Sequence, residues 1–282
     1  MLFNKTALIT GGARGIGLTI AKELTTQRVK VVICSRTKTD LNNALKILNQ
    51  KKRVAHGIIC DVSKLSSCQR LIKFTRSKLK RIDILVNNAG VYGPIGSLED
   101  INTREFLRTI EINLMGMVYC SNLVIPLMKK QGGGKIINMC GAGVGGSKTM
   151  PRFAAYFTSK FAIAGFSEVL AAELQEKNIQ VNSISPGAVN TYLNEYLIKQ
   201  GPKITGNEIY EAAIRRQTEG GTAPELTAKL IAYLCSSKSN HISGRLLSSK
   251  WNPPEQLKKI KRFGNNLFKL RRIDQDLYYE NK

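Results

Sequence analysis

The sequence predicts an α/β domain built on a doubly wound parallel sheet, and three observations carry that expectation. Short β-rich runs alternate with helix-period segments along most of the 282 residues. The β-rich runs are near-continuously apolar, as strands covered by helices on both faces must be. No internal repeat and no low-complexity linker divides the chain, so a single domain over 1–250 accounts for it, followed by a basic tail over 251–282.

Taken in order, "KTALIT" (5–10) reads as the first strand and leads through a glycine-rich turn into a helical pattern over 15–27. "KVVIC" (30–34) precedes a helix over 39–50, and "VAHGIIC" (54–60) one over 65–80. "DILVN" (83–87) is followed by a long helical pattern over 103–130, and "KIINM" (135–139) by one over 156–177. "IQVNSI" (179–184), a helix over 224–236 and "GRLLS" (244–248) complete the series at seven strands. Between 190 and 222 the rhythm is interrupted by Gly201, Pro202, Gly206, Gly220 and Gly221, which predicts a mobile flap over a site.

Composition narrows the function classes. Lys and Arg number 43 against 20 acids, a formal charge of +23. Such an excess suits a nucleic acid, an anionic membrane or an acidic substrate. Yet the cations are spread along the chain, and only residues 258–272 concentrate seven of them without an acid, so nucleic-acid binding is not expected. No apolar run approaches the roughly 20 residues of a bilayer span, so no membrane role is expected either. The opening "MLFNKTALITGG" is too short an apolar stretch for a signal peptide, which leads to the expectation of an intracellular, cytoplasmic protein. Six cysteines (34, 60, 68, 120, 140 and 235) show no CxxC or Cys/His spacing. They read as reduced buried thiols, with no metal site.

The turn "TGGARGIG" contains Gly11, Gly12, Arg14, Gly15, Ile16 and Gly17 between a strand and a helix. Its glycines permit a tight turn and close backbone approach to a pyrophosphate, whose charge faces amides at a helix N-terminus. Arg36 stands nineteen residues beyond Gly17, with Ser35 before it and the next acid at Asp40. There an acid would bind the ribose 2′-hydroxyl of NAD, whereas an arginine accommodates the 2′-phosphate of NADP. Arg14 adds a second guanidinium, so NADP(H) is the expected cofactor.

Tyr156 and Lys160 lie one helical turn apart and project to the same side. A phenol of pKa about 10 is a poor acid/base near neutrality unless a cation stabilises its phenolate, and Lys160 can supply one. Taken by itself, the pair also fits a solvated helix face. It occurs, however, with "CDV" (60–62), "NNAG" (87–90), "EINLMG" (111–116), "YFTSK" (156–160) and "SPGAVNT" (185–191), in that order after the glycine turn. Over about residues 4–248 the chain thereby resembles the short-chain dehydrogenase/reductase family.

The resemblance implies a Rossmann-type fold, hydride transfer with NAD(P) and a homo-oligomer, dimer or tetramer. It implies that Asp61 and Val62 border the adenine, and that Asn88, Ala89 and Gly90 border its ribose and brace the central strand. Tyr156 would exchange a proton with the substrate oxygen. Lys160 would bind the nicotinamide ribose and lower the tyrosine pKa, while Asn113 would hold a water in the proton relay. Pro186, Gly187, Val189 and Thr191 would line the nicotinamide.

One departure stands out. The family's catalytic serine belongs at a strand end reading roughly "NISS", thirteen residues before the tyrosine. Counting back from Tyr156 gives Gly143, whereas the strand end puts Cys140 and Gly141 there. The strand-end count is preferred, which makes the Cys140 thiol, a weak donor, a candidate stand-in, with Ser147 as an alternative from the long loop. The ending "SGRLLSSKWNPPEQL" further resembles a bacterial subgroup associated with surface-polysaccharide and unusual-sugar biosynthesis. The expected activity is therefore an NADP(H)-dependent carbonyl/secondary-alcohol oxidoreductase acting on a sugar or sugar-derived metabolite. A general ketone or 3-oxoacyl-thioester reductase is the alternative, and an NADP-binding regulatory or scaffold protein is a third reading. Basic residues around the flap would suit a phosphorylated or nucleotide-linked sugar, while Trp251 and the tail equally read as a contact with a neighbouring subunit.

Overall fold

The computed structural model describes residues 2–141, 143–145, 149–264 and 266–270. The chain runs β1 (Thr6–Thr10), α1 (Gly15–Thr26), β2 (Lys30–Ser35), α2 (Lys38–Leu48), β3 (Ala55–Ile59), α3 (Leu65–Leu79) and β4 (Ile84–Asn87). It continues through α4 (Thr103–Ile110), a π-helical turn (Glu111–Met115), α5 (Gly116–Lys130), β5 (Gly134–Met139), α6 (Ala154–Glu173) and β6 (Ile179–Ser185). Helices α7 (Tyr192–Gln200), α8 (Pro202–Thr205), α9 (Asn207–Thr218) and α10 (Pro224–Cys235) precede β7 (Leu246–Ser248) and α11 (Pro254–Leu257).

The seven strands form one parallel sheet in the order β3-β2-β1-β4-β5-β6-β7. Its period-2 pleat sorts the apolar strand residues into two layers. Ala7 and Ile9 of β1 join Val31, Ile33 and Val86 in a core completed by Ile20 and Leu24 of α1 and Leu230, Ile231 and Leu234 of α10. Leu8 faces the opposite way, with Val32 and Leu85, against Leu71 of α3 and Val124 and Met128 of α5. Each such fully buried side chain contributes about 1.5–3 kcal/mol. Strand order reverses at β1, which lies between β2 and β4, and that switch point opens a crevice at the C-terminal strand ends.

The segment 190–222, expected as a mobile flap, is built of three helices. Arg152 pins it, donating from Nη1 to the Lys203 carbonyl at 2.6 Å and the Ile204 carbonyl at 3.1 Å. The helix from Thr103 to Lys130 is, at 28 residues, long and apolar enough to cross a bilayer, contrary to the sequence-based reading. Its Cys120, Val124 and Met128 are fully buried in the protein, so its apolar face is that of a core helix. The described residues between 251 and 270 pack back on the domain. Leu257 is buried, Phe263 and Phe268 lie against the core, and the Leu246 N–H donates to the Phe268 carbonyl at 2.8 Å along the β7 edge. Trp251 is 67% exposed. Arg271 and Arg272 of the basic run lie outside the described residues.

Asp83 locks the start of the sheet. Its carboxylate accepts from the Thr6 N–H and hydroxyl, each at 2.9 Å, and from Arg81 Nε at 2.9 Å, with Lys5 at 3.4 Å. Burial pushes its carboxyl up, but the Arg81 and Thr6 hydrogen bonds outweigh burial and hold it below the usual range. A depressed carboxylate contributes stability that is fully present above its unfolded value, about 3.9, and lost as pH falls through the folded one. Asp83→Asn should therefore cost about 1–3 kcal/mol near neutrality, and the cost should shrink below pH 4. Urea titrations of both proteins across pH 3–7 measure this.

Candidate active site

The crevice is built on the end of β1. Thr10 Oγ1 accepts from the Asn88 and Ala89 N–H groups at 3.0 and 3.1 Å. The Asn88 side-chain amide donates back to the Thr10 and Gly11 carbonyls, both at 3.0 Å. Gly11 turns the chain at φ +61°, a left-handed conformation that suits glycine. Gly17 is constrained by space instead: a Cβ there would lie 2.3 Å from the Gly11 carbonyl oxygen and 2.5 Å from Asn88 Nδ2. Helix α1 can thus start against the turn only where a side chain is missing.

One groove brings together Gly11, Arg14, Gly15, Ile16 and Gly17 of the turn, Ser35 at the end of β2 with Arg36 after it, and Asp61 and Val62 after β3. Asn88, Ala89 and Gly90 after β4, together with Thr191, close it. Gly12 does not line the groove; a Cβ on it would run into Ile33 at 2.7 Å, so it faces the core behind the turn. Pro186, Gly187 and Val189 are likewise absent from its walls. Their loop is fastened elsewhere, the Thr222 N–H donating to the Ala188 carbonyl at 2.8 Å. The groove fits a dinucleotide by its Cβ-free cradle at Gly11, Gly15 and Gly17, set at the N-terminus of α1.

Charges in the groove are mostly paired. Arg14 lies 3.5 Å from Asp40, and its guanidinium covers the Tyr192 ring at 3.7 Å. Asp61 accepts from Ser63 Oγ and from Arg108 Nη2, each at 2.7 Å. Burial raises the Asp61 carboxyl, but Ser63 and Arg108 together bring it below its usual value. Arg36 is exposed and makes no ion pair with a described residue.

Tyr156 and Lys160 are buried at the end of β5, on the first two turns of α6. Lys160 Nζ donates to the Met139 carbonyl at 2.9 Å, and burial lowers its ammonium to about 8. Burial pushes the Tyr156 phenol well up, with Tyr92 and Cys140 adding to it. That is opposite to the expected lowering by Lys160, because the phenol is enclosed in apolar surroundings and the cation donates to a carbonyl. Asn113 lies in the π-helical turn, a form of helix often found at functional sites. Its side chain accepts from the Val91 N–H at 2.8 Å and donates to the Val91 carbonyl at 2.9 Å and to Ser159 Oγ at 3.0 Å. The side chain is therefore committed to holding the loop after β4 against α6, and a water in the relay would have to use other atoms.

The two serine counts are resolved by geometry. A Cβ at Gly141 would stand 2.5 Å from the Tyr156 hydroxyl, whereas one at Gly143 would meet the Phe157 ring at 2.3 Å. Gly141 is thus the one of the two beside the Tyr156 hydroxyl, and a serine there would have to displace it. Cys140 is no stand-in: its thiol points to the Lys160 carbonyl at 3.7 Å, among Met117, Val144 and Ile163. Ser147 lies outside the described residues.

Several residues of the site escaped the sequence reading. Thr10 was visible within the glycine motif, and Tyr192 directly follows Thr191. Arg108 is 47 residues from Asp61 in sequence, and no local signal joins them. Tyr92 packs on Tyr156 with ring centroids 4.6 Å apart. It joins Phe153, Leu197, Ala213, Met150, Ile198 and Ile209 in an apolar wall around the tyrosine.

Comparison with known proteins agrees with this geometry. The family model described as short chain dehydrogenase matches residues 5–201. Dehydrogenase/reductase SDR family member 4 of Mus musculus is 32% identical over 257 residues, 91% of this chain and 89% of that protein. A 3-ketoacyl-(acyl-carrier-protein) reductase from Brucella melitensis complexed with NADH superposes with a TM-score of 0.75 at 28% identity, covering 88% of this chain and 97% of its own. An actinorhodin polyketide ketoreductase with NADPH gives 0.78 at 28% identity, over 86% and 95%. With the glycine turn, the parallel sheet and the buried Tyr156–Lys160 pair in agreement, the chain belongs to the short-chain dehydrogenase/reductase family and is an oxidoreductase.

Proposed function

We propose that this chain is an NADP(H)-dependent reductase of ketones with an apolar body, interconverting a carbonyl and a secondary alcohol. The observation that carries the reading is the buried Tyr156–Lys160 pair, whose tyrosine packs in an apolar cluster with Phe153, Leu197 and Ala213. A nicotinamide cofactor, when bound, supplies the hydride. Tyr156, kept protonated by its burial, donates its proton to the carbonyl oxygen. Lys160, lowered to about 8, exchanges protons readily near neutrality and can restore the one the tyrosine gives up. With glycine at position 141, the tyrosine is the donor that the described residues offer to polarise that oxygen.

The preference for NADP(H) rests on Arg36 at the end of β2, a guanidinium to which no described residue offers a carboxylate, where a fork of donors suits a phosphate. The aromatic and aliphatic wall favours a ketone over the sugar expected from the sequence, since hydroxyls buried without partners are costly. The names of the two ketoreductase structures point the same way. A homo-oligomer fits the exposed Phe161 (40%) and Val169 (60%) along α6.

Three outcomes test the reading. Tyr156→Phe should lower NADPH oxidation by roughly 10²–10⁴-fold while NADPH still binds, measured by stopped-flow absorbance and nucleotide fluorescence. A chain that binds NADPH but turns over no ketone, with or without Tyr156, would be a binding protein instead. Arg36→Asp should weaken NADPH and favour NADH, read from the ratio of their dissociation constants. Cys140→Ser should cost about 1 kcal/mol of stability and should not raise turnover, since the thiol faces away from the reacting oxygen.

A further inference from the structure

A half-buried arginine follows the apolar cluster along α9, and no described residue gives it an acidic partner. Ile209, Ala213 and Arg216 follow one another at spacings of four and three on α9, so they share one face. Ile209 and Ala213 belong to the wall around Tyr156. Arg216 Nε donates to Asn194 Oδ1 at 2.8 Å. Asn194 is itself buried, with its amide donating to the Ala213 carbonyl at 2.9 Å and to Asn190 Oδ1 at 3.3 Å. The guanidinium is therefore aimed by a rigid partner that takes only one of its five N–H donors.

No described residue supplies a counter-ion to it. The neighbouring Arg215 takes Glu211, at 3.9 Å, on the outer face of the helix. Burial lowers Arg216 from its ordinary value, Tyr92 draws it back up, and Arg215 lowers it again. Tyr92 packs at the other end of the cluster, with its ring 4.6 Å from Tyr156. A desolvated cation with spare donors is costly unless something pairs with it.

Building on the reductase reading, we infer that Arg216 is a specificity residue that binds an anionic group, carboxylate or phosphate, on the far side of the substrate from its ketone. The substrate class is then an oxo acid or oxo phosphate whose apolar middle lies against Tyr92, Leu197 and Ile209. A bidentate guanidinium contact fixes the anion and with it the distance at which the carbonyl meets Tyr156.

The test uses the full chain with NADPH, and matched oxo acids, their methyl esters and oxo phosphates of aliphatic and aromatic type. Turnover is followed by NADPH oxidation, and binding to the NADPH complex by calorimetry. The acid or the phosphate should be favoured over the ester by roughly 10–100-fold. Arg216→Gln should bring that ratio to within a few-fold of one, and Arg216→Lys should restore part of it. Equal NADPH affinity in all three proteins shows that the fold is kept. An acid-to-ester ratio near one in the native chain, or one unchanged in Arg216→Gln, overturns the inference and leaves the reductase standing. Anion-selective binding lost in Arg216→Gln, with no NADPH oxidised by any ketone, upholds the anion site and overturns the reductase reading instead.

Discussion

The Asn88 amide gripping the carbonyls of Thr10 and Gly11 is the interaction on which the rest of the site depends. It joins the ends of β1 and β4 at the switch point, where the sheet's helices diverge to opposite faces. Thr10 Oγ1 accepts from two amides after β4, so four hydrogen bonds fix one turn against the other. Gly17 then brings α1 onto that clamp without a side chain in between. Each bond nets only about 1 kcal/mol. Together they determine where the amides of α1 point and where the chain leading to Asn113 begins.

A second polar network runs through the middle of the sheet. The Asn87 amide donates to Asn138 Oδ1 at 2.8 Å, and the Asn138 amide donates to Ser167 Oγ at 2.9 Å. Asn87 and Asn138 are register partners on β4 and β5, so the pairing sets the strand ends that carry the groove and the tyrosine level with each other. Ser167 belongs to α6, the helix of Tyr156 and Lys160. The acid/base pair is therefore positioned by its helix being bonded to the same strand register as the groove. Buried networks of this kind rigidify because a broken member is left unpaired.

The order of strands and helices was legible because continuous apolar runs and helical spacing are local properties. Boundaries moved by a residue or two where capping and fraying decide. The helices over 192–218 were misread because their glycines mark helix ends: Gly201 follows α7 at φ +75° and Gly206 follows α8 at φ +86°. Motif residues in the groove were legible as well, since backbone approach and phosphate charge constrain residue type at fixed spacing. Arg108, Tyr92 and Arg216 were not. Each meets its partner through tertiary contact, Arg108 from α4 to Asp61 and Arg216 from α9 to Asn194, which no window of sequence contains. The pKa of Tyr156 was misjudged for a related reason. Spacing shows that Lys160 is near, but not that its ammonium is turned to the Met139 carbonyl.

The formal charge of +23 explains less of this site than the pairing of a few cations. At physiological ionic strength exposed charges are screened over about 8 Å, so a cation on a distant helix adds little to the field in the groove. Within reach, Arg14 is met by Asp40, and Arg108 by Asp61 and Glu111. Arg36 has no such partner among the described residues, and it lies where β2 ends beside the glycine turn. On the substrate side Arg215 is met by Glu211 while Arg216 is held by the neutral Asn194. The local field in the molecule thus follows from which arginines the described residues leave without an acid, and acids facing Arg36 and Arg216 would change it without altering much of the rest of the charge.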